Sequence, residues 1–239
     1  MGRVSSTYRE FAPPRRLAAS IACLWTRHTT APGAHLVVPD GCIDLVATPG
    51  GLVVAGPDTG PVPTPVNPGE TLFGLRFRPG AAAPVLGWPA HELRDRRTPV
   101  EELWGRVAQP VASLHELIEA VARRDAPPPD PIVRAAVHAL ARGRLVGDLP
   151  EELHLSERQL RRRFHASVGY GPKVLARVLR LQRMLALAPG AAGNLARLAA
   201  EAGYADHAHM ASETAALTGL SPGALLDDRF AQAPQALAA

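Results

Sequence analysis

Ser156-Glu-Arg-Gln-Leu-Arg-Arg-Arg-Phe164 is the stretch that decides the fold of the C-terminal part of the chain. Serine is a strong N-cap, so Ser156 predicts a helix that begins at Glu157. Leu160 and Phe164 lie one turn apart on this helix and are expected to face the core. The opposite face then carries four basic or titratable side chains: Arg158, Arg161, Arg162 and His165.

This arginine-lined face has two interpretations. An exposed helix can enter the major groove of duplex DNA, which is about 12 Å wide, and an arginine there donates two hydrogen bonds to guanine. A merely soluble, arginine-rich helix would show the same face. The distribution of charge favours DNA, because the chain has 26 basic and 22 acidic side chains and the basic excess falls between residues 131 and 226.

A second copy of the same pattern follows further along the chain. Asn194 is the predicted N-cap of a helix that ends at Gly203, a residue type that tolerates the positive φ of a helix end. Tyr204 follows in the turn, and Asp206 caps the next helix. That helix offers three polar candidates for DNA contact: His207, His209 and Ser212. In both copies the second helix is followed by Gly-x-x-Pro, at residues 169–172 and 219–222.

With both copies in view, the sequence resembles the AraC family of bacterial transcription regulators. The likeness covers residues 131–226 and rests on a set of motifs: Ser-x-Arg-x-Leu-x-Arg-x-Phe at 156–164, Gly-x-x-Pro at 169–172, Arg-Leu at 180–181, Leu-Ala-x-x-Ala-Gly-Tyr at 198–204 and Gly-Leu-Ser-Pro at 219–222. The resemblance implies two helix-turn-helix units, joined by a long helix over residues 172–187, that address successive major grooves on one side of the duplex. It also implies duplex DNA and RNA polymerase as partners, and it leaves a small-molecule effector and a homodimer open.

Two departures from the family pattern limit this resemblance. Pro150 stands where the first unit usually has a small Ala, and a proline inside a helix removes a hydrogen bond unless the helix starts later, near Asp148. In the second recognition helix Ser212 and Thr214 replace an Arg and an aromatic residue, and Met210 replaces another aromatic residue. We therefore expect weaker or different base reading by the second unit. A protein-interaction module whose units have lost affinity for DNA is the alternative that these departures leave open.

The N-terminal half has a different pattern. Between residues 21 and 79, short apolar runs alternate with turn sequences such as Pro39-Asp-Gly and Asn67-Pro-Gly, which predicts a β-sandwich or barrel. Helical periodicity follows, up to a proline-rich linker at residues 125–130. The predicted fold class is therefore α+β: a β-rich barrel or sandwich-like sensor domain with following helices at 1–124, the linker, an all-α DNA-binding domain with two helix-turn-helix units at 131–228, and a tail at 229–239.

The sensor domain also resembles that of one subgroup of these regulators, through Val38-Pro-Asp-Gly-Cys-Ile-Asp-Leu45 and Gly74-Leu-Arg-Phe-Arg-Pro-Gly80. Five of its side chains are candidates for a polar ligand pocket: His35, Asp40, Cys42, Asp44 and Arg76. The alternative is structural, since Asp40-Gly41 is a turn sequence and Cys42 is a small residue that is commonly buried. A further alternative is that the Cys42 thiol senses oxidants or alkylating agents.

Several classes of protein are disfavoured by what the sequence lacks. It has no phosphate-binding loop, Gly-x-Ser-x-Gly, His-Glu-x-x-His or Cys-x-x-Cys, so we expect a non-enzymatic protein that needs no metal or cofactor. Its two cysteines form no disulfide framework, and no long apolar run indicates a signal peptide or a membrane span. We therefore expect a cytoplasmic regulator that binds duplex DNA sequence-specifically and responds to a small molecule or a stress signal. Activation and repression are equally open.

Overall fold

The computed structural model describes residues 6–105, 111–190 and 193–232. Within these ranges, the N-terminal part contains eight strands: β1 (Ser6–Phe11), β2 (Ile21–Thr29), β3 (Gly33–Val37), β4 (Ile43–Thr48), β5 (Gly51–Ala55), β6 (Val62–Val66), β7 (Thr71–Phe77) and β8 (Arg97–Pro99). Six of them form an antiparallel sheet in the order β1-β2-β7-β4-β5-β8, and β3 pairs with β6 in a second, two-stranded sheet.

The larger sheet separates two environments, as strand β4 illustrates. On one face its residues are buried in the hydrophobic core: Ile43, Leu45 and Ala47. On the other face they are half-buried: Asp44, Val46 and Thr48. This alternation follows from the two-residue period of a strand. The core is completed by residues of three helices, α1 (Ala82–Leu86), α2 (Val100–Trp104) and α3 (Leu114–Ala122).

Gly74 on β7 leaves room for the ring of Trp25 on the neighbouring strand β2. The two residues are cross-strand partners. A Cβ atom at Gly74 would lie 2.6 Å from the Trp25 ring and 2.7 Å from the carbonyl oxygen of Leu45. Only glycine leaves room for the indole there, because real Cβ contacts are longer than these distances.

The C-terminal part contains helices joined by short turns, and no strand among its described residues. Its helices are α4 (Pro131–Ala141), α5 (Leu149–Glu152), α6 (Glu157–Ser167), α7 (Pro172–Leu187), α8 (Leu195–Ala202), α9 (His207–Thr218) and α10 (Pro222–Gln232). They enclose two hydrophobic clusters, one around Phe164 and Leu175 and the other around Leu198 and Met210, and α7 contributes to both. The predicted α+β fold class is confirmed.

Local sequence signals account for where the helices of the two units begin. Ser156 forms a capping box with Gln159, Asn194 accepts a hydrogen bond from the N–H of Arg197, and Asp206 accepts one from the N–H of His209. Pro150 is the second residue of α5, where the missing N–H has no partner within the helix in any case. The later helix start that the sequence analysis considered is therefore the observed one, and it leaves α5 a single turn long.

The two parts of the chain pack directly against each other. The side-chain Nε2 of Gln182 donates a hydrogen bond of 2.6 Å to the carbonyl oxygen of Pro39, and Val38 is buried in the cluster that contains Leu198. Gly169, at φ +100°, approaches the N-terminal part so closely that a Cβ there would lie 2.5 Å from Pro57. The first glycine of the Gly-x-x-Pro motif therefore serves the contact between the two parts as well as the turn.

The limits of the domains at residues 124, 131 and 228 remain predictions. Helix α10 continues to Gln232, and the rest of the predicted tail, residues 233–239, lies outside the described residues. None of the helices in the described part of the chain has the length and apolar character that crossing a membrane requires.

Candidate functional site

The first recognition helix, α6, presents a row of exposed arginines. Leu160 and Phe164 are 2% and 0% exposed and hold the helix on the core. Three arginines on the outer face are exposed and form no ion pair within the described residues: Arg158, Arg161 and Arg162. Their guanidinium groups are therefore available to an external acceptor such as a phosphate or a guanine edge.

Arg163 has a different role from its neighbours on α6. Its Nη1 atom lies 2.6 Å from Oδ2 of Asp130, the residue whose other carboxylate oxygen caps helix α4. The arginine therefore attaches the recognition helix to the end of the predicted linker. The helical period had already placed Arg163 outside the predicted DNA-facing row, but its partner was not predicted, because the pairing joins residues that are far apart in the chain.

His165 is half-buried at the C-terminal end of the arginine row. Burial is the main reason that the pKa of its imidazole is lowered, and Arg161, Arg94 and His91 act in the same direction. Two of these neighbours, Arg94 and His91, belong to the N-terminal part of the chain, so the recognition helix ends beside that part.

The second recognition helix, α9, is chemically different. His207 and Ser212 are exposed, as a DNA-contacting residue must be. His209 is engaged inside the protein: the backbone N–H of Ala205 donates a 3.1 Å hydrogen bond to its Nδ1, and its Nε2 lies 3.4 Å from Oε1 of Glu213. This arrangement assigns the ring proton to Nε2 and leaves His209 little freedom to read a base.

Glu213 holds α9 against the long helix α7. Its carboxylate lies 3.2 Å from Nε of Arg177 and 3.1 Å from Nε of Arg180, and its side chain is only 13% exposed. The guanidinium of Arg180 also lies 5.3 Å from the centre of the Tyr204 ring. The sequence analysis did not identify Glu213 as a functional residue, although its position four residues after His209 on one helix was a signal for their contact.

The N-terminal part of the chain contains a cavity of about 720 Å³, lined mainly by residues from both of its sheets. All five residues predicted for a polar pocket line it: His35, Asp40, Cys42, Asp44 and Arg76. Strand register explains why two of them meet, since Asp44 and Arg76 are cross-strand partners on β4 and β7. No group of three potential ligands among the described His, Cys, Asp and Glu residues is arranged to hold a metal ion.

Arg76 is the centre of the polar groups in this cavity. It donates two hydrogen bonds to the carboxylate of Asp44, at 3.0 and 3.1 Å, and its guanidinium lies 3.3 Å from Asp40 and 3.8 Å from Glu10. Burial raises the pKa of Asp44 to about 6, although Arg76 acts in the opposite direction. The acidic side chains of this group are thus held by one shared cation.

Two other arginines line the cavity without an ion-pair partner in the described part of the chain. Arg27 projects from β2 and lies over the Tyr8 ring, and Arg229 comes from helix α10 of the C-terminal part. Burial is the main reason that the pKa of each of these guanidinium groups is lowered. Gln182 of α7 also lines the cavity. Sequence reasoning missed all three residues.

The two cysteines have little thiolate character. Burial is the main reason that the pKa of Cys23 is raised to about 11 and that of Cys42 well above its ordinary value. The thiolate is the form that attacks oxidants and alkylating agents. These surroundings disfavour the alternative in which Cys42 is a reactive sensor.

Both parts of the chain match known protein families. Residues 149–228 match the family described as a helix-turn-helix domain, and residues 9–99 match a family described as a domain of unknown function. No protein with a curated function matches the chain.

Similar solved structures include ToxT from Vibrio cholerae. One ToxT structure is 9% identical, covers 95% of this chain and 99% of its own, and has a TM-score of 0.43. A second is 9% identical, covers 95% and 98%, and has a TM-score of 0.44. A third, of ToxT bound to (E)-4-(8-methylnaphthalen-1-yl)but-3-enoic acid, is 8% identical, covers 95% and 99%, and has a TM-score of 0.46. The match at residues 149–228 and the two capped units found there show that this part of the chain is a helix-turn-helix domain of the AraC type.

Proposed function

We propose that the protein is a sequence-specific regulator of transcription whose DNA binding responds to a small molecule held in the sensor-domain cavity. The main support for DNA binding is the row of exposed arginines on α6: Arg158, Arg161 and Arg162. Arginines that share one exposed helix face and have no ion-pair partner among the described residues are suited to phosphates and to guanine edges.

The placement of Pro150 also supports this function over an interaction module without DNA affinity. A proline in the first turn costs no helix hydrogen bond, so Pro150 does not interrupt helix α5. The capping box at Ser156 fixes the start of the recognition helix.

Binding of the full chain to duplex DNA across a series of salt concentrations tests the proposal. Arginine–phosphate contacts release counterions, so the logarithm of the association constant should fall steeply and linearly with the logarithm of the salt concentration. A triple variant, Arg158→Gln, Arg161→Gln and Arg162→Gln, should bind much more weakly. Absence of duplex binding by the wild-type chain at low salt would favour the interaction module instead.

The cavity supports the effector part of the proposal. Its wall is shared by the two parts of the chain, since Gln182 and Arg229 of the helical part line it together with residues of the sheets. A molecule in the cavity would therefore contact the DNA-binding part directly. Arg27 and Arg229 both line the cavity and are partly desolvated, so an anionic group bound beside them would offset the cost of burying their charges.

Thermal unfolding of the full chain with a panel of small carboxylic acids and their uncharged amides tests this part. Acids that bind should raise the unfolding temperature, and their amides should not. Arg229→Gln should lose the stabilisation, whereas Arg123→Gln, which removes the same charge from an exposed position after α3, should keep it. Equal stabilisation by acids and amides would contradict an anionic effector.

A further inference from the structure

The row of arginines on α6 continues onto the sensor domain. Residues 90–96, which include the short 3-10 helix Ala90–Glu92, pack against the first helix-turn-helix unit: Ala90 is fully buried, and its carbonyl oxygen lies 3.1 Å from where a Cβ of Gly169 would be. His91 and Arg94 of this segment are exposed. The 3-10 helix that carries His91 is in direct contact with α6, and both residues lie near enough to His165, at the end of the α6 row, to lower its pKa.

The segment is held rigidly, so these side chains have a defined position relative to α6. Leu93 is 1% exposed and anchors it in the core. The carboxylate of Asp95 accepts hydrogen bonds from the backbone N–H of Thr59 at 2.6 Å and from its hydroxyl at 3.0 and 2.9 Å. The N–H of Gly56 donates a 2.9 Å bond to the carbonyl oxygen of Arg96.

The charge of Arg94 is only weakly compensated within the protein. Its nearest acidic group is Asp95, 3.9 Å from Nε, and that carboxylate is already engaged by Thr59. Glu92 is the other acidic residue of the segment and is exposed. The Arg94 side chain is 43% exposed and free to meet an external anion.

We infer that Arg94 and His91 of the sensor domain contact DNA phosphates beside the major groove that α6 enters. The inference rests on the proposed function, since it assumes that α6 reads the duplex. A recognition helix inserts its N-terminal half into the groove, so groups beyond its C-terminal end face the flanking backbone. Contacts of this kind position a protein without reading sequence. DNA would then touch both parts of the chain, and its affinity would depend on how they are arranged.

Full-chain binding to a random-sequence duplex across a salt series provides the test. Arg94→Gln should weaken binding several-fold at low salt and should reduce the slope of log K against log salt by about 0.9, the value for one lost phosphate contact. Arg94→Lys should keep the wild-type slope because it keeps the charge. Arg123→Gln should also keep it, as a matched loss of charge elsewhere on the sensor domain.

The outcomes separate this inference from the proposed function. A wild-type slope in Arg94→Gln, with normal binding by the wild-type chain, would overturn the sensor-domain contact and leave DNA binding by α6 intact. An Arg94→Lys variant that behaves like Arg94→Gln would also overturn it, because the contact would then not depend on charge. If the wild-type chain does not bind duplex DNA at all, both proposals are overturned together.

Discussion

The two recognition helices share a sequence pattern but differ in chemistry. On α6 the outer arginines have no ion-pair partner among the described residues, because the core contacts of that helix are made by Leu160 and Phe164. On α9 the residues His209 and Glu213 are used to attach the helix to its neighbours, and His207 and Ser212 stay exposed. The comparison teaches that a polar residue in a recognition helix can read DNA only if the fold does not already engage it.

The largest effect is expected from the arginines of α6. Arg158→Ala and Arg162→Ala should each reduce the preference for a selected binding sequence over a scrambled duplex. A bidentate contact between arginine and guanine is worth about 1–3 kcal/mol of discrimination, which corresponds to roughly 5- to 150-fold. Competition binding at a fixed salt concentration, with a duplex selected from random sequences, measures this ratio.

Matched variants on α9 test whether sequence specificity comes from α6 rather than from α9. His207→Ala and Ser212→Ala remove the exposed polar groups of the second helix and should leave the specificity ratio within a few-fold of wild type. Loss of specificity in these variants, with wild-type discrimination in Arg158→Ala and Arg162→Ala, would assign base reading to α9.

A smaller effect is expected from the carboxylate that holds α9. Glu213→Gln removes the charge that Arg177 and Arg180 share and should lower the free energy of unfolding by roughly 1–2 kcal/mol, between the values for exposed and buried charged contacts. DNA affinity should fall because α9 is less firmly held, while the specificity ratio should stay near wild type. Thermal unfolding and the same competition assay measure the two quantities.

Glu201→Gln is the control for this variant. Glu201 forms an ion pair of 2.7 Å with Arg197 one turn earlier on α8, and both side chains are well exposed. Its removal should cause no measurable change in the free energy of unfolding, because exposed ion pairs contribute little to stability. If Glu201→Gln and Glu213→Gln are equally stable, Glu213 does not hold α9 in place.

Some residues that line the candidate pocket were predicted from the sequence, and others were not. Its five predicted residues all line one cavity, although the sequence also allowed a purely structural role for Asp40 and Cys42. Arg27, Gln182 and Arg229 were missed because no local pattern connects them. They meet only where helices α7 and α10 of the C-terminal part close the cavity of the sensor domain.

The sequence by itself determined the class of the protein, the two helix-turn-helix units and the helix starts at Glu157, Leu195 and His207. These features are encoded locally, by N-caps, by helix-ending glycines and by the helical period of apolar residues. Tertiary structure alone decided with which partners the polar side chains pair: Arg163 of α6 pairs with Asp130, and Glu213 of α9 pairs with Arg180 of α7. The physical reason is that ion pairs and shared cavities depend on the packing of distant segments, about which the local sequence carries no information.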